Sequence, residues 1–226
     1  MAHQHEGNTL RDVVRFEVEE DGRLSREVVT VKSGQILEMG AVLGKETLAA
    51  CPTTGTPSSP ITGAGTCTGV TAGAKAKVGT YTIKCIHAVT GGGIFSVADP
   101  DGYALPNAVV GAYVNDQINF TLADGSPDFS VDDYFTVTIA AGTGYVKELA
   151  KGALTSVLGD QDAYGILTAD CDASTGAKAA VAIVKDAVIV AANLVWPDGS
   201  PAVSAGEKTV ALAQLAAKGI VARAEA

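Results

Sequence analysis

The chain has 226 residues, enough for one large domain or two small ones, and 47% of them are hydrophobic but only 5% aromatic, so its core must be built mostly from Val, Ile, Leu and Ala. A formal net charge of -9 argues against direct nucleic-acid binding, which needs clustered Lys and Arg to neutralise phosphates. No apolar run reaches the roughly 18 residues of a membrane-spanning helix, and the N-terminus MAHQHEGNTLRD has no hydrophobic signal region, so synthesis and folding in a cytosol are expected.

Residues 1–12 are polar and aperiodic and read as a flexible arm. His3 and His5 within it are read as solvated side chains rather than a metal pair. Val13 to Glu19 alternates, with Val14, Phe16 and Val18 on one face and Arg15, Glu17 and Glu19 on the other, as in a half-buried strand. Glu20-Asp21-Gly22 signals a tight turn and Leu24 to Lys32 the returning strand of a hairpin. The charges from Glu17 to Asp21 then form its solvated tip. After Ser33-Gly34, a short apolar strand, Ala41-Val42-Leu43, lies between Gly40 and Gly44.

Residues 51–66 hold several Pro, Gly, Ser and Thr and read as a linker that packs no core. Residues 67–144 then show short strands at regular spacing, among them the alternating Tyr81-Ile83-Cys85, Ile94 to Val97, Gln117 to Leu122 and Asp132 to Ile139. This is the pattern of a small β-sandwich, here with an Ig-like architecture as the expectation. The economical arrangement inserts that sandwich into a discontinuous host domain, residues 13–50 and 145–226.

In the host's second half, Ala163 to Leu167 reads as a strand and Asp170 to Gly176 as a polar break. Ala180 to Val190, interrupted only by Lys185-Asp186, reads as strand buried on both faces. Ser204 and Glu207 have the spacing of a capping box, opening a helix that Gly219 closes. The only tryptophan, Trp196, precedes Pro197; such a residue packs into a core or a subunit seam.

Chemistry is hard to find. The pairs Asp99 and Asp101, Asp124 and Asp128, and Asp132 and Asp133 read as turn residues, because DPDG lacks the later oxygen ligands of a calcium loop. His87 has no nucleophile-elbow motif to serve. Gly91-Gly92-Gly93 lacks the GK[ST] of a phosphate loop. Lys75 and Lys77 read as a solvated strand edge. Cys51, Cys67, Cys85 and Cys171 form no Cys-x-x-Cys pair and read as free thiols, a Cys67–Cys85 disulfide being the alternative that a cytosolic origin opposes. No catalytic set, metal site or cofactor is expected.

The order AYGIL, polar turn, two apolar strands, LVWP and a short helix ending in GI resembles the lambda-type head decoration protein family of tailed bacteriophages. REVVTVKSGQILEMGAVLGKET is similar to the strand and G-x-VLGK signature of longer members. AKVGTYTIKC through VADPDG, INFTLADG and DDYFTVTIAAGTG resembles the extra β-domain of prophage versions.

The resemblance implies a mainly β fold, with a small β-barrel or β-tulip-like decoration domain, one short C-terminal helix and the inserted sandwich. It also implies a cement role: a homotrimer on the outer surface of the expanded virion head, bound to the major capsid protein at three-fold and quasi-three-fold positions. There it stabilises the shell against internal DNA pressure. The implied capsid-binding residues are Asn8, Thr9, Leu10, Arg11, Val13, Val14, Phe16 and Val18, joining the capsid by strand addition, and Trp196 and Pro197 are the candidate trimer seam. Removal of residues 1–18 is expected to abolish capsid binding while leaving the fold and trimer intact. An alternative reading makes the outward-facing sandwich a binding module for a host-surface glycan or another external ligand, using Tyr81, Phe95, Tyr103, Tyr113 and Tyr134.

Overall fold

A computed structural model describes residues 9–17, 24–73, 75–149, 159–197 and 203–224. The chain divides into two compact units, Met1–Thr47 with Thr143–Ala226, and Leu48–Gly142.

In chain order the first unit begins with α1 (Leu10–Val13), β1 (Val14–Glu17), β2 (Arg26–Val31), β3 (Gln35–Leu37) and β4 (Val42–Lys45). The second unit holds β5 (Thr56–Pro57), β6 (Thr66–Ala72), β7 (Gly79–Val89), β8 (Gly92–Ala98), β9 (Ala104–Val109), β10 (Tyr113–Asn115), β11 (Ile118–Ala123) and β12 (Tyr134–Ile139). The first unit resumes with β13 (Val146–Glu148), β14 (Ala163–Leu167), β15 (Cys171–Ala173), β16 (Lys178–Ile183), β17 (Ala187–Val190), α2 (Ala205–Ala216) and β18 (Ile220–Arg223).

In the first unit, five strands pair in a ring, β13–β2–β16–β14–β4, and β4 returns to β13. The closure is thin. β13 meets β2 at one residue pair, Val146 and Val31, and β14 meets β16 at two, so the ring is a small, partly open barrel. β4 separates two cores. Leu43 joins Val29, Val31, Val146 and Leu167 inside the ring, whereas Val42 joins Ile166, Ile183, Ile189 and Leu215 beneath α2. That double burial explains why Ala41-Val42-Leu43 is continuously apolar. β17 and β18 run parallel, with α2 in the connection between them, as a parallel pair requires.

Helix α2 begins where the sequence predicts. Ser204 Oγ accepts from the Glu207 N–H at 3.3 Å, and Glu207 Oε2 accepts from the Ser204 N–H at 2.7 Å. Ala211 and Leu215, one turn apart, are its buried residues. The helix caps at Ala217, so Gly219 (φ +80) falls one position beyond the expected one and turns the chain into β18. Ser204→Ala is expected to cost about 1 kcal/mol through loss of the cap; a lowered thermal midpoint checks it, and an unchanged one would count against the cap.

Several features differ from the sequence reading. β1 does not form a hairpin with β2; it pairs antiparallel with β17, while β2 lies between β16 and β13. A register shift between Val14 and Phe16 also breaks the alternation, leaving Phe16 61% exposed and the Glu17 side chain turned inward. The predicted hairpin tip lies mostly outside the described residues. β16 is buried only at Ala182 and Ile183, and the chain breaks at Asp186 (φ +48) before β17, so the 180–190 run is not one doubly buried strand. The polar break 170–176 contains β15, whose Cys171 pairs with Leu37 of β3. Lys75 and Lys77 lie in the loop between β6 and β7 rather than on a strand edge.

The second unit contains a five-stranded sheet, β5–β12–β7–β8–β9, and a three-stranded sheet, β10–β11–β6. Each buries one face: Tyr81, Ile83, Phe95, Val97, Phe135 and Val137 in the first, and Cys67, Val70, Ile118, Phe120 and Leu122 in the second. Phe129 closes the core edge-on to Phe95 and Phe135, with ring centroids 5.0 and 5.9 Å apart. All four cysteines are free, and Cys67 and Cys85 lie on different sheets. Burial pushes the Cys67 thiol up to about 11, leaving it unreactive at neutral pH.

Residues 51–66 are not a linker. β5 pairs with β12, Thr54 bridges to Thr68, and Ser58 N–H donates to Tyr134 O. The amides of Thr62 and Gly63 donate to the Asp133 carboxylate. Gly63 and Gly65 lie so close to Phe129 that a β-carbon at either position would strike it.

Candidate functional site

Among the described residues, no group of His, Cys, Asp and Glu could hold a metal ion, and no helix is long and apolar enough to cross a membrane. Lys77 Nζ lies 2.6 Å from both Asp99 and Asp101. Asp99 Oδ1 also accepts from the amides of Asp101 and Tyr103, so these carboxylates build a turn. The hydrogen bond from Lys77 holds the Asp99 carboxyl below its ordinary range. Asp132 pairs with Lys84, and Asp128 Oδ1 accepts a long bond from the Gly91 amide at the β7–β8 hairpin. His87 is exposed on β7, at the irregularity opposite Ile94. Tyr81 and Phe95 are core residues, whereas Tyr103, Tyr113 and Tyr134 are exposed on separate strands and loops, so the five aromatics form no common platform.

The feature that faces outward with mixed chemistry is the N-terminal segment. Thr9 caps α1, with its N–H and hydroxyl both donating to Asp12 Oδ2 at 2.7 Å. Those bonds hold the Asp12 carboxyl below its ordinary value. Asn193 Nδ2 donates to Asp12 O at 2.8 Å, fixing the turn of helix above the core. Val13, fully buried, plugs that core against Gly40, where a side chain would crowd it. Among the described residues β1 pairs on one side only, with β17, so its other edge is one to which no described strand adds.

A groove of about 400 Å³ runs along this segment. Leu10, Val14 and Phe16 line it with apolar groups, and Arg11, Arg15, Arg26 and Glu17 with charged ones. Arg26 grips Glu17 as a fork, with Nε at 3.0 and 3.1 Å from the carboxylate oxygens and Nη2 at 2.8 Å. Bonding to Glu17 raises the Arg26 guanidinium further above its ordinary value.

Of the residues expected to bind the capsid, Thr9, Arg11 and Phe16 are exposed, Leu10 and Val14 half-buried, and Val13 is enclosed by its own unit. Asn8 and Val18 lie outside the described residues. Residues 10–13 are helical rather than an unstructured arm. Removing residues 1–18 would strip the buried Val13 and the strand paired with β17 from this unit, so the truncation is now expected to destabilise the first unit as well. Trp196 is half-buried against the core beneath α2, with Lys208 Nζ 5.4 Å from its ring centre, and Pro197 is buried. Reasoning from strand periodicity missed Arg15, Glu17 and Arg26. The signal that could have found them is arginine placement: Arg11, Arg15, Arg23 and Arg26 are four of only five arginines in the chain.

Among its described residues the mainly β chain shows an open-edged strand and an exposed aromatic beside a charged groove. The family described as bacteriophage lambda head decoration protein D matches residues 3–220, nearly the whole chain. The chain belongs to that family: it is a phage head decoration protein, which implies capsid binding and a place on the virion head. No curated protein matches it. Among solved structures, FlgL of Xanthomonas campestris aligns with 49% of this chain and 34% of its own at 15% identity, with a TM-score of 0.30. The chain thus spans about a third of FlgL, and so loose a superposition carries no argument.

Proposed function

We propose that this protein is a cement: a homotrimer seated on the outer surface of the expanded head at three-fold and quasi-three-fold positions, strengthening the shell against the pressure of packaged DNA. It is made in the host cytoplasm and binds the major capsid protein. The observation that carries the reading is the family match across both units, joined to a strand, β1, that among the described residues has one open edge beside an exposed Phe16. A capsid segment adding to that edge would gain backbone hydrogen bonds without disturbing the ring. The half of Trp196 that its own core leaves open is the candidate seam between subunits; Pro197, buried in its own unit, positions it.

Mixing the purified protein with expanded, undecorated heads, pelleting and imaging by cryo-electron microscopy tests this. Extra density over the three-fold positions, with α1 and β1 against the capsid, is the expected result. Heads that pellet bare would overturn the proposal.

A further inference from the structure

We infer that the groove beside β1 selects an extended capsid segment carrying a carboxylate next to apolar side chains, with Arg11 as the specificity-determining residue and Phe16 as the apolar anchor. This rests on the proposed capsid-binding role of the N-terminal segment and names the chemistry of what it binds. The chain uses eleven lysines and only five arginines, four of them within residues 11–26. Arginine is suited to such a place, because its planar fork matches a carboxylate with two parallel bonds and loses less hydration than an ammonium. The groove already shows one such pairing, since Arg26 holds Glu17 through Nε and Nη2. That pairing neutralises the carboxylate on the groove wall.

Arg11 is exposed on the same groove and has no carboxylate partner among the described residues. Phe16, 61% exposed on the open-edged strand, offers an apolar face beside it. Among the described residues, a cation with no carboxylate partner, an exposed ring and a strand edge to which no described strand adds all belong to one groove, and they complement an extended segment with alternating acidic and apolar side chains. Among the described residues the Arg11 charge lining this groove would also steer such a segment toward it.

The test uses the full chain and expanded heads, with binding measured by cosedimentation at salt concentrations from about 50 to 500 mM. Wild-type binding should weaken as salt rises. Arg11→Glu should lower affinity by about tenfold or more, Arg11→Lys by less, and Phe16→Ala should weaken binding at every salt concentration. Lys178→Glu, at an exposed position away from the groove, should bind like wild type. Each variant should keep the wild-type melting midpoint, because neither Arg11 nor Phe16 is in the core. Wild-type binding that is flat with salt and unchanged by Arg11→Glu would overturn the inference while leaving capsid binding standing. A change in oligomeric state in place of head binding would overturn it in favour of a second copy in the groove. Failure of the wild-type protein to bind heads would remove the underlying role as well.

Discussion

Gly44→Ala is expected to abolish the folded state of the first unit, or to lower its stability by about 3 kcal/mol or more. Gly44 is buried in β4, opposite Lys147 of β13 on one side and Ala163 of β14 on the other. A β-carbon there would land on the carbonyl of Asp160 and crowd that residue's carbonyl carbon and Cα as well. The obstacle is main chain, so no rotamer change relieves it, and the ring would have to open between β4 and β14. Opening would also disturb the pair that Lys147 Nζ makes with Asp160 at 2.5 Å, where the Asp160 side chain is fully enclosed. Gly34→Ala is the matched comparison. Gly34 has φ +88 and open space around its α-carbon, so only the left-handed backbone is penalised, at about 1 kcal/mol. Thermal melts of the two variants separate close approach from backbone strain. A Gly44→Ala protein that melts within about two degrees of wild type would show that β4 and the 159–162 turn are not packed as described.

How much of this fold was legible depended on how each segment is held. Strands with one buried face announced themselves: Tyr81, Ile83 and Cys85, and Ile118, Phe120 and Leu122, alternate in the sequence and are buried in the structure. The capping box at Ser204 was legible because it is local, its partners lying three residues apart. β1 misled because a register shift, invisible to a period-two pattern, turns Phe16 out and Glu17 in. Its true partner, β17, lies more than 170 residues away, whereas the turn signal at 20–22 favoured the nearer strand. Residues 51–66 misled most. Their order comes from amides donating to one distant carboxylate and from glycines flat against an aromatic ring, and neither device has a period. The candidate site was half legible. Resemblance pointed to the segment as a candidate, but the arginine fork beside its groove is a matter of residue choice rather than hydrophobic pattern.

The carboxylate that orders residues 51–66 leads to the second large expected effect. Asp133→Ala should destabilise the second unit by about 2–4 kcal/mol and free residues 51–66 to proteases, while the first unit keeps its own melting transition. Asp133 is 5% exposed and accepts three main-chain bonds, from Thr62 at 2.8 Å, Gly63 at 3.0 Å and Ser130 at 2.8 Å. Alanine would leave those amides without their acceptor beside the Phe129 ring. The same geometry sets a pH dependence. Burial alone would raise the Asp133 carboxyl, but the amides of Ser130, Thr62 and Gly63 outweigh it and hold the group below its ordinary value. A depressed folded value means that the unfolded chain binds the proton more tightly. The stabilisation is therefore complete above the unfolded value, about 3.9, and disappears as pH falls through the lower folded one. The second unit should lose stability below about pH 4, and Asp133→Asn, already uncharged, should flatten that part of the profile. Melting midpoints measured down the acid range for wild type and Asp133→Asn decide the point. Parallel profiles would mean that the acid sensitivity belongs to another carboxylate, with Asp99, also held low by its partners, the next to replace.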